Sequence, residues 1–156
     1  MREFNEKASE EYQFHRTNFR DCYTYIEDYC QIKFNSGNYL DLLAETTNLK
    51  EICRKEIIEI IKQDYVKSQS NNFNIRPIVK NATDFLRKEI LGEDIEHKYK
   101  KSLERAVYEL LKAIRDNITH QGKFEISENQ YKRNEILIKN ASLITCSLVQ
   151  EIENNK

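Results

Sequence analysis

A chain of 156 residues fits one domain and can bury a real core. Hydrophobic residues make up 39% and charged ones 33%, with only three Gly and one Pro, which leaves too few turn formers for a β-sandwich and favours an all-α fold. The formal net charge of −1 excludes a global electrostatic pull toward nucleic acid.

The charge is unevenly spread. Lys98 to Lys139 holds ten Lys and Arg against six Asp and Glu, and the remainder has fifteen against twenty. The N-terminal MREFNEKASEEY has no apolar secretory core. No run of about eighteen apolar residues is available to span a membrane, so a cytoplasmic protein is expected. Cys22, Cys30, Cys53 and Cys146 form no Cys-x-x-Cys pair and no zinc-finger spacing, and read as free, half-buried thiols.

The first element spans residues 3–33. Ala8, Tyr12, His15, Phe19, Cys22, Tyr23, Ile26, Tyr29 and Cys30 recur at helical spacing. Eight of the sixteen aromatics lie in the first 34 residues, which marks this stripe as core or a partner-facing seam. His15, with Glu11 one turn before it, reads as a core or boundary histidine. Asn35-Ser36-Gly37-Asn38 ends the helix, and Tyr39 to Leu43 has room for a turn or two. Thr47-Asn48 suits an N-cap for a helix from Leu49 to Val66. Ser68 to Asn74 is polar and turn-like, a surface loop.

The next helix opens near Ile75, capped by Asn74, with Pro77 in its first turn, where a missing N–H costs nothing. Gly92 stops it. Asp94 is then expected to cap a helix running to about His120, with His97 on the surface of its first turn. Ser127 and Gln130 match a capping box for the last helix, which buries Leu137, Ile138, Ala141, Ile144, Leu148, Val149 and Ile152. The expected architecture is a single domain over 1–156, an up-and-down bundle of four to five helices.

The stretch LERAVYELLKAIRDNITHQG, Leu103 to Gly122, carries the chemistry. Leu103, Val107, Leu110, Leu111, Ile114 and Ile118 form its apolar face. Near its end come Arg115, Asp116, Asn117 and His120, and Gly122 is a natural stop. Arg115, a polar residue, then His120 five positions on resembles the signature of the HEPN superfamily (higher eukaryotes and prokaryotes nucleotide-binding domains). The small helical chain and the motif's place in the penultimate long helix extend the resemblance. It implies a metal-independent endoribonuclease acting as a homodimer on RNA, without a cofactor. Two Arg/His motifs would face each other across the dimer. It is compatible with a toxin–antitoxin, abortive-infection or similar defence setting, and allows for an antitoxin or regulatory partner. Asp116 stands where asparagine is more frequent. Gly122 stands where one toxin branch carries tyrosine, so nucleotide transfer to that tyrosine is not implied.

The residues suit such chemistry. Cleavage needs a base for the ribose 2′-OH, an acid for the departing 5′-oxygen and a cation for the phosphorane. A placed histidine contributes roughly 10²–10⁴ in rate. Arginine's fork matches phosphate oxygens better than lysine's point charge. On an ideal helix Arg115 and His120 differ by about 140° of rotation. They converge only if the helix loosens before His120 or if a second chain supplies the other half. Asp116, four before His120, is placed to orient the imidazole. Arg115, His120 and Asp116 are the candidate catalytic residues, and Lys112, Asn117 and Lys123 the candidate RNA-binding ones. The plain alternative is a surface cap, with Arg115 on a neighbour's carboxylate and His120 on a C-terminal carbonyl. A non-catalytic helical module that binds a nucleotide or a partner protein is the other class. A metal site is disfavoured: Glu11–His15, Glu93–His97 and Asp116–His120 are isolated i, i+4 pairs, and only Asp94–His97 has the Glu-x-x-His type of spacing.

Overall fold

The computed structural model describes residues 2–63, 77–120 and 128–155; for 2–9, 77–78, 117–120 and 128–131 it describes the backbone alone. The Ser68 to Asn74 loop, the Asn74 cap, Gly122, Lys123 and the Ser127–Gln130 capping box lie outside that description, whereas the helix expected to reach Val66 ends at Lys62, with Gln63 as its C-cap.

Among the described residues there are six helices and no strand: α1 (Arg2–Phe34), α2 (Leu40–Glu45), α3 (Leu49–Lys62), α4 (Pro77–Leu91), α5 (Leu103–His120) and α6 (Glu128–Asn154). The fold is an all-α bundle, as the periodicity predicts. Five helices are long, and α2 is the short piece expected after the turn. None of them is long and apolar enough to cross a membrane.

The long apolar stripes explain the packing. Phe19, Tyr23, Ile26 and Cys30 of α1 are buried, and so are Leu137, Ile138, Ala141, Ile144 and Leu148 of α6. These two helices pack most extensively; α3 also packs on α6, and α4 on α5. Cys22 meets Cys146 and Tyr25 meets Glu153, so the contacts advance together along both helices. α1 and α6 therefore run the same way, as the first and fifth long helices of an alternating bundle do.

Helix ends follow local chemistry. Asn35 takes a left-handed conformation after α1, at φ 57°. Gly92 does so after α4, at φ 71°, and its N–H turns back to the Lys88 carbonyl at 3.1 Å. Asn48 precedes α3 as expected but does not cap it through its side chain. It sits at φ 60°, and its backbone carbonyl accepts the Ile52 N–H at 3.0 Å.

The largest departure lies between α4 and α5. Asp94 caps no helix. Residues 92–102 form a non-helical strap, and α5 begins at Leu103. Ser102 is the cap: its Oγ accepts the Arg105 N–H at 3.1 Å. The strap alternates: Glu93, Ile95, His97 and Tyr99 are half-buried or buried, and Asp94, Glu96, Lys98 and Lys100 are exposed. That two-residue period belongs to an extended chain. Tyr99 lies 5.3 Å and His97 5.2 Å from the Phe85 ring of α4, centroid to centroid. His97 is thus a half-buried strap residue and not a surface residue of a first helical turn.

Candidate functional site

α5 has two faces. Ala106, Val107, Leu110, Leu111, Ala113 and Ile114 are buried in the core. A fully buried Leu or Ile contributes roughly 1.5–3 kcal/mol. An exposed ion pair contributes roughly 0–1 kcal/mol. Apolar burial therefore fixes the helix, and its polar face is left for other work. Arg105, Tyr108, Lys112 and Arg115 line that half-buried face, separated by three, four and three residues. They cover about 15 Å of helix.

Arg115 is held on three sides. Its guanidinium carbon lies 4.9 Å above the Tyr23 ring of α1. Nη1 is 4.0 Å from Glu27 Oε1, one turn farther along α1. Nε is 3.4 Å from Asp116 Oδ1. The side chain retains 39% exposure, so an anion can reach it only by competing with two carboxylates. Tyr23 belongs to an aromatic row. Its ring stands edge-on to Phe19 at 5.6 Å and to Tyr39 at 5.2 Å, and Tyr39 meets Tyr108 at 4.8 Å. Arg105 lies 5.6 Å over Tyr108 and gives a 3.1 Å hydrogen bond to Glu109 Oε1. Two arginines of α5 therefore cover the two ends of one tyrosine row, Tyr23–Tyr39–Tyr108.

Burial dominates the electrostatics. It pushes the Tyr23 phenol up to about 12, against the opposing pull of the Tyr39 hydroxyl and of Arg115. Tyr23 is therefore a neutral ring beneath a cation. Glu27 is raised from its ordinary carboxylate value, because desolvation outweighs the attraction of Arg115.

The expected site residues fall as follows. Arg115 and Asp116 are adjacent and in contact. Asp116 places a carboxylate oxygen on Arg115, a role the sequence reading did not give it. Lys112 is half-buried one turn before Arg115. Asn117 and His120 are placed by their backbone in the last turns of α5, and their side chains lie outside the description. Because α5 is unbroken through His120, a helix that loosens before the histidine is not what is found. Within one chain the ideal rotation of about 140° keeps Arg115 and His120 on different faces.

Tyr23, Glu27, Arg105 and Glu109 were not singled out from sequence. Arg105–Glu109 is a legible i, i+4 pair. Tyr23 and Glu27 reach Arg115 only through the tertiary fold. Elsewhere, His15 Nε2 lies 3.6 Å from Glu11 Oε1, and its ring stands edge-on to Phe14. Among the described residues no three His, Cys, Asp or Glu side chains gather as a metal-binding group. No protein-family model, curated protein or solved structure matches the chain.

Proposed function

We propose that this chain is a metal-independent endoribonuclease of HEPN type, with a composite site built by two copies of α5. The observation that carries the reading is the state of Arg115. It is half-exposed and set on Tyr23 by carboxylates on two sides, five residues before His120 on one continuous helix. A guanidinium fixed in this way gives up less side-chain freedom when it meets a phosphate. On an unbroken helix the ideal rotation of about 140° sets Arg115 and His120 on different faces of one protomer, and a two-fold axis would supply the missing partner. His120 would take the 2′-OH proton and return one to the 5′-oxygen. Arg115 would stabilise the phosphorane, leaving a 2′,3′-cyclic phosphate and a 5′-hydroxyl. Lys112, Asn117 and Lys123 would border the RNA path. A cytoplasmic toxin or defence effector, with an antitoxin or other regulatory partner, is the setting that goes with this reading.

One observation favours a second reading. Glu27 and Asp116 already neutralise Arg115, which suits an interhelix clamp in a non-catalytic module that binds a nucleotide or a partner protein. Incubation of purified protein with total RNA in EDTA separates the two. The ribonuclease reading expects cleavage, and expects His120→Ala to abolish it with the helical circular dichroism unchanged. Intact RNA with folded wild-type protein leaves the binding module.

A further inference from the structure

The α1–α6 interface also holds a close pair of thiols, independent of the ribonuclease reading. The Cys22 and Cys146 sulfurs lie 3.2 Å apart, joining positions 124 residues apart in sequence. Both side chains are partly open to solvent, whereas Cys30 and Cys53 are fully enclosed. The Tyr25–Glu153 contact joins the same two helices about one turn farther along α1 and about two turns farther along α6. A disulfide needs about 2.05 Å between sulfurs. The remaining approach between the sulfurs is about 1.2 Å.

We propose that Cys22 and Cys146 are a modification site, a thiol pair that a low-molecular-weight disulfide such as oxidised glutathione converts to an intramolecular disulfide. One cysteine, as thiolate, attacks a glutathione sulfur. The glutathione S–S bond breaks and one glutathione leaves as thiol. The second cysteine then attacks the protein sulfur of the mixed disulfide, forming Cys22–Cys146 and releasing the second glutathione. The two electrons lost by the protein reduce the glutathione disulfide, and the two protons end on the released thiols. Burial, with the Cys146 contact next in weight, pushes the Cys22 thiol up to about 12, so the reaction at neutral pH is slow and needs excess oxidant. The product ties the first helix to the last. It constrains the unfolded chain over nearly its full length, which raises the melting temperature by roughly 5–15 °C.

The test uses reduced, full-length protein incubated with excess oxidised glutathione, quenched in acid, denatured, alkylated and mapped by mass spectrometry. The expected product has lost two hydrogens. Its Cys22 and Cys146 peptides are linked, Cys30 and Cys53 are alkylated, and the rise in melting temperature reverses with dithiothreitol. Cys22→Ser and Cys146→Ser should each halt at a mixed disulfide with glutathione on the remaining cysteine. The proposal is overturned if folded wild-type protein keeps both cysteines alkylatable, retains glutathione on one without forming the link, or links two chains instead. The wild-type map decides this even if a serine variant fails to fold.

Discussion

Arg115 of α5 rests its guanidinium 4.9 Å above the ring of Tyr23 of α1. This contact ties the candidate cation to a helix whose other side packs on α6. It also places the cation beside Glu27. A partly desolvated cation–π pair is worth roughly 0.5–2 kcal/mol. A double-mutant cycle on Tyr23→Leu and Arg115→Met should return a coupling energy in that range by urea denaturation. Tyr23→Phe should keep most of it, since the ring and not the hydroxyl faces the charge. Additive single effects would mean the stacking carries no energy.

Arg105 and Glu109 form the other anchored pair. The Glu109 side chain is 7% exposed and Arg105 36%. Removing the arginine strands a buried carboxylate, whereas removing both charges strands nothing. Arg105→Ala should therefore destabilise by roughly 1–3 kcal/mol, reduced from a fully buried pair because water can enter on the arginine side. Arg105→Met with Glu109→Leu should recover most of that loss. Equal losses in the single and double variants would contradict this account.

Glu27 sets a pH dependence. Its folded-state pKa is raised, chiefly by burial, so the folded protein holds this proton more tightly than the unfolded chain. Stability from this group is present at low pH. It falls as pH rises from the ordinary carboxylate value through the raised one. Glu27→Gln should remove that decline: melting curves between about pH 4 and 7 should diverge in favour of the variant toward neutrality. A variant less stable than wild type at neutral pH would mean that the Arg115 ion pair outweighs desolvation.

The helices and their buried faces were legible because they rest on local periodicity. Gly92 was legible as a stop for the same kind of reason, since a left-handed residue closes α4 there. The strap was not read, although Ile95, His97 and Tyr99 alternate with exposed polar residues. Asp94 after a glycine looks like a helix cap, and that local signal hid the two-residue period. The setting of Arg115 could not be read at all. Tyr23 and Glu27 are close to it only because α1 and α5 share a core, and no periodicity records that. The contact of an Asp116 carboxylate oxygen with the neighbouring guanidinium, at 3.4 Å, was likewise not read, because adjacent residues on a helix do not ordinarily face each other.

Lys112 tests the RNA path. It stands one turn before Arg115 on the same face and is half-buried. If it contacts a phosphate, Lys112→Glu should weaken RNA binding and flatten the slope of log affinity against log salt by about 0.7 or more. Binding should be measured with the His120→Ala background to prevent cleavage. An unchanged slope would remove Lys112 from the interface.

The most direct test of the composite site mixes two inactive proteins. Arg115→Ala and His120→Ala should each be inactive alone on RNA in EDTA. Mixed in equal amounts and allowed to exchange subunits, half the dimers carry one intact arginine facing one intact histidine. If each dimer offers two such sites, about a quarter of the wild-type activity should return, with 2′,3′-cyclic phosphate ends. No recovery, with heterodimers demonstrated by mass spectrometry, would contradict a site shared between two chains, and cleavage by His120→Ala alone would contradict the catalytic role of the histidine.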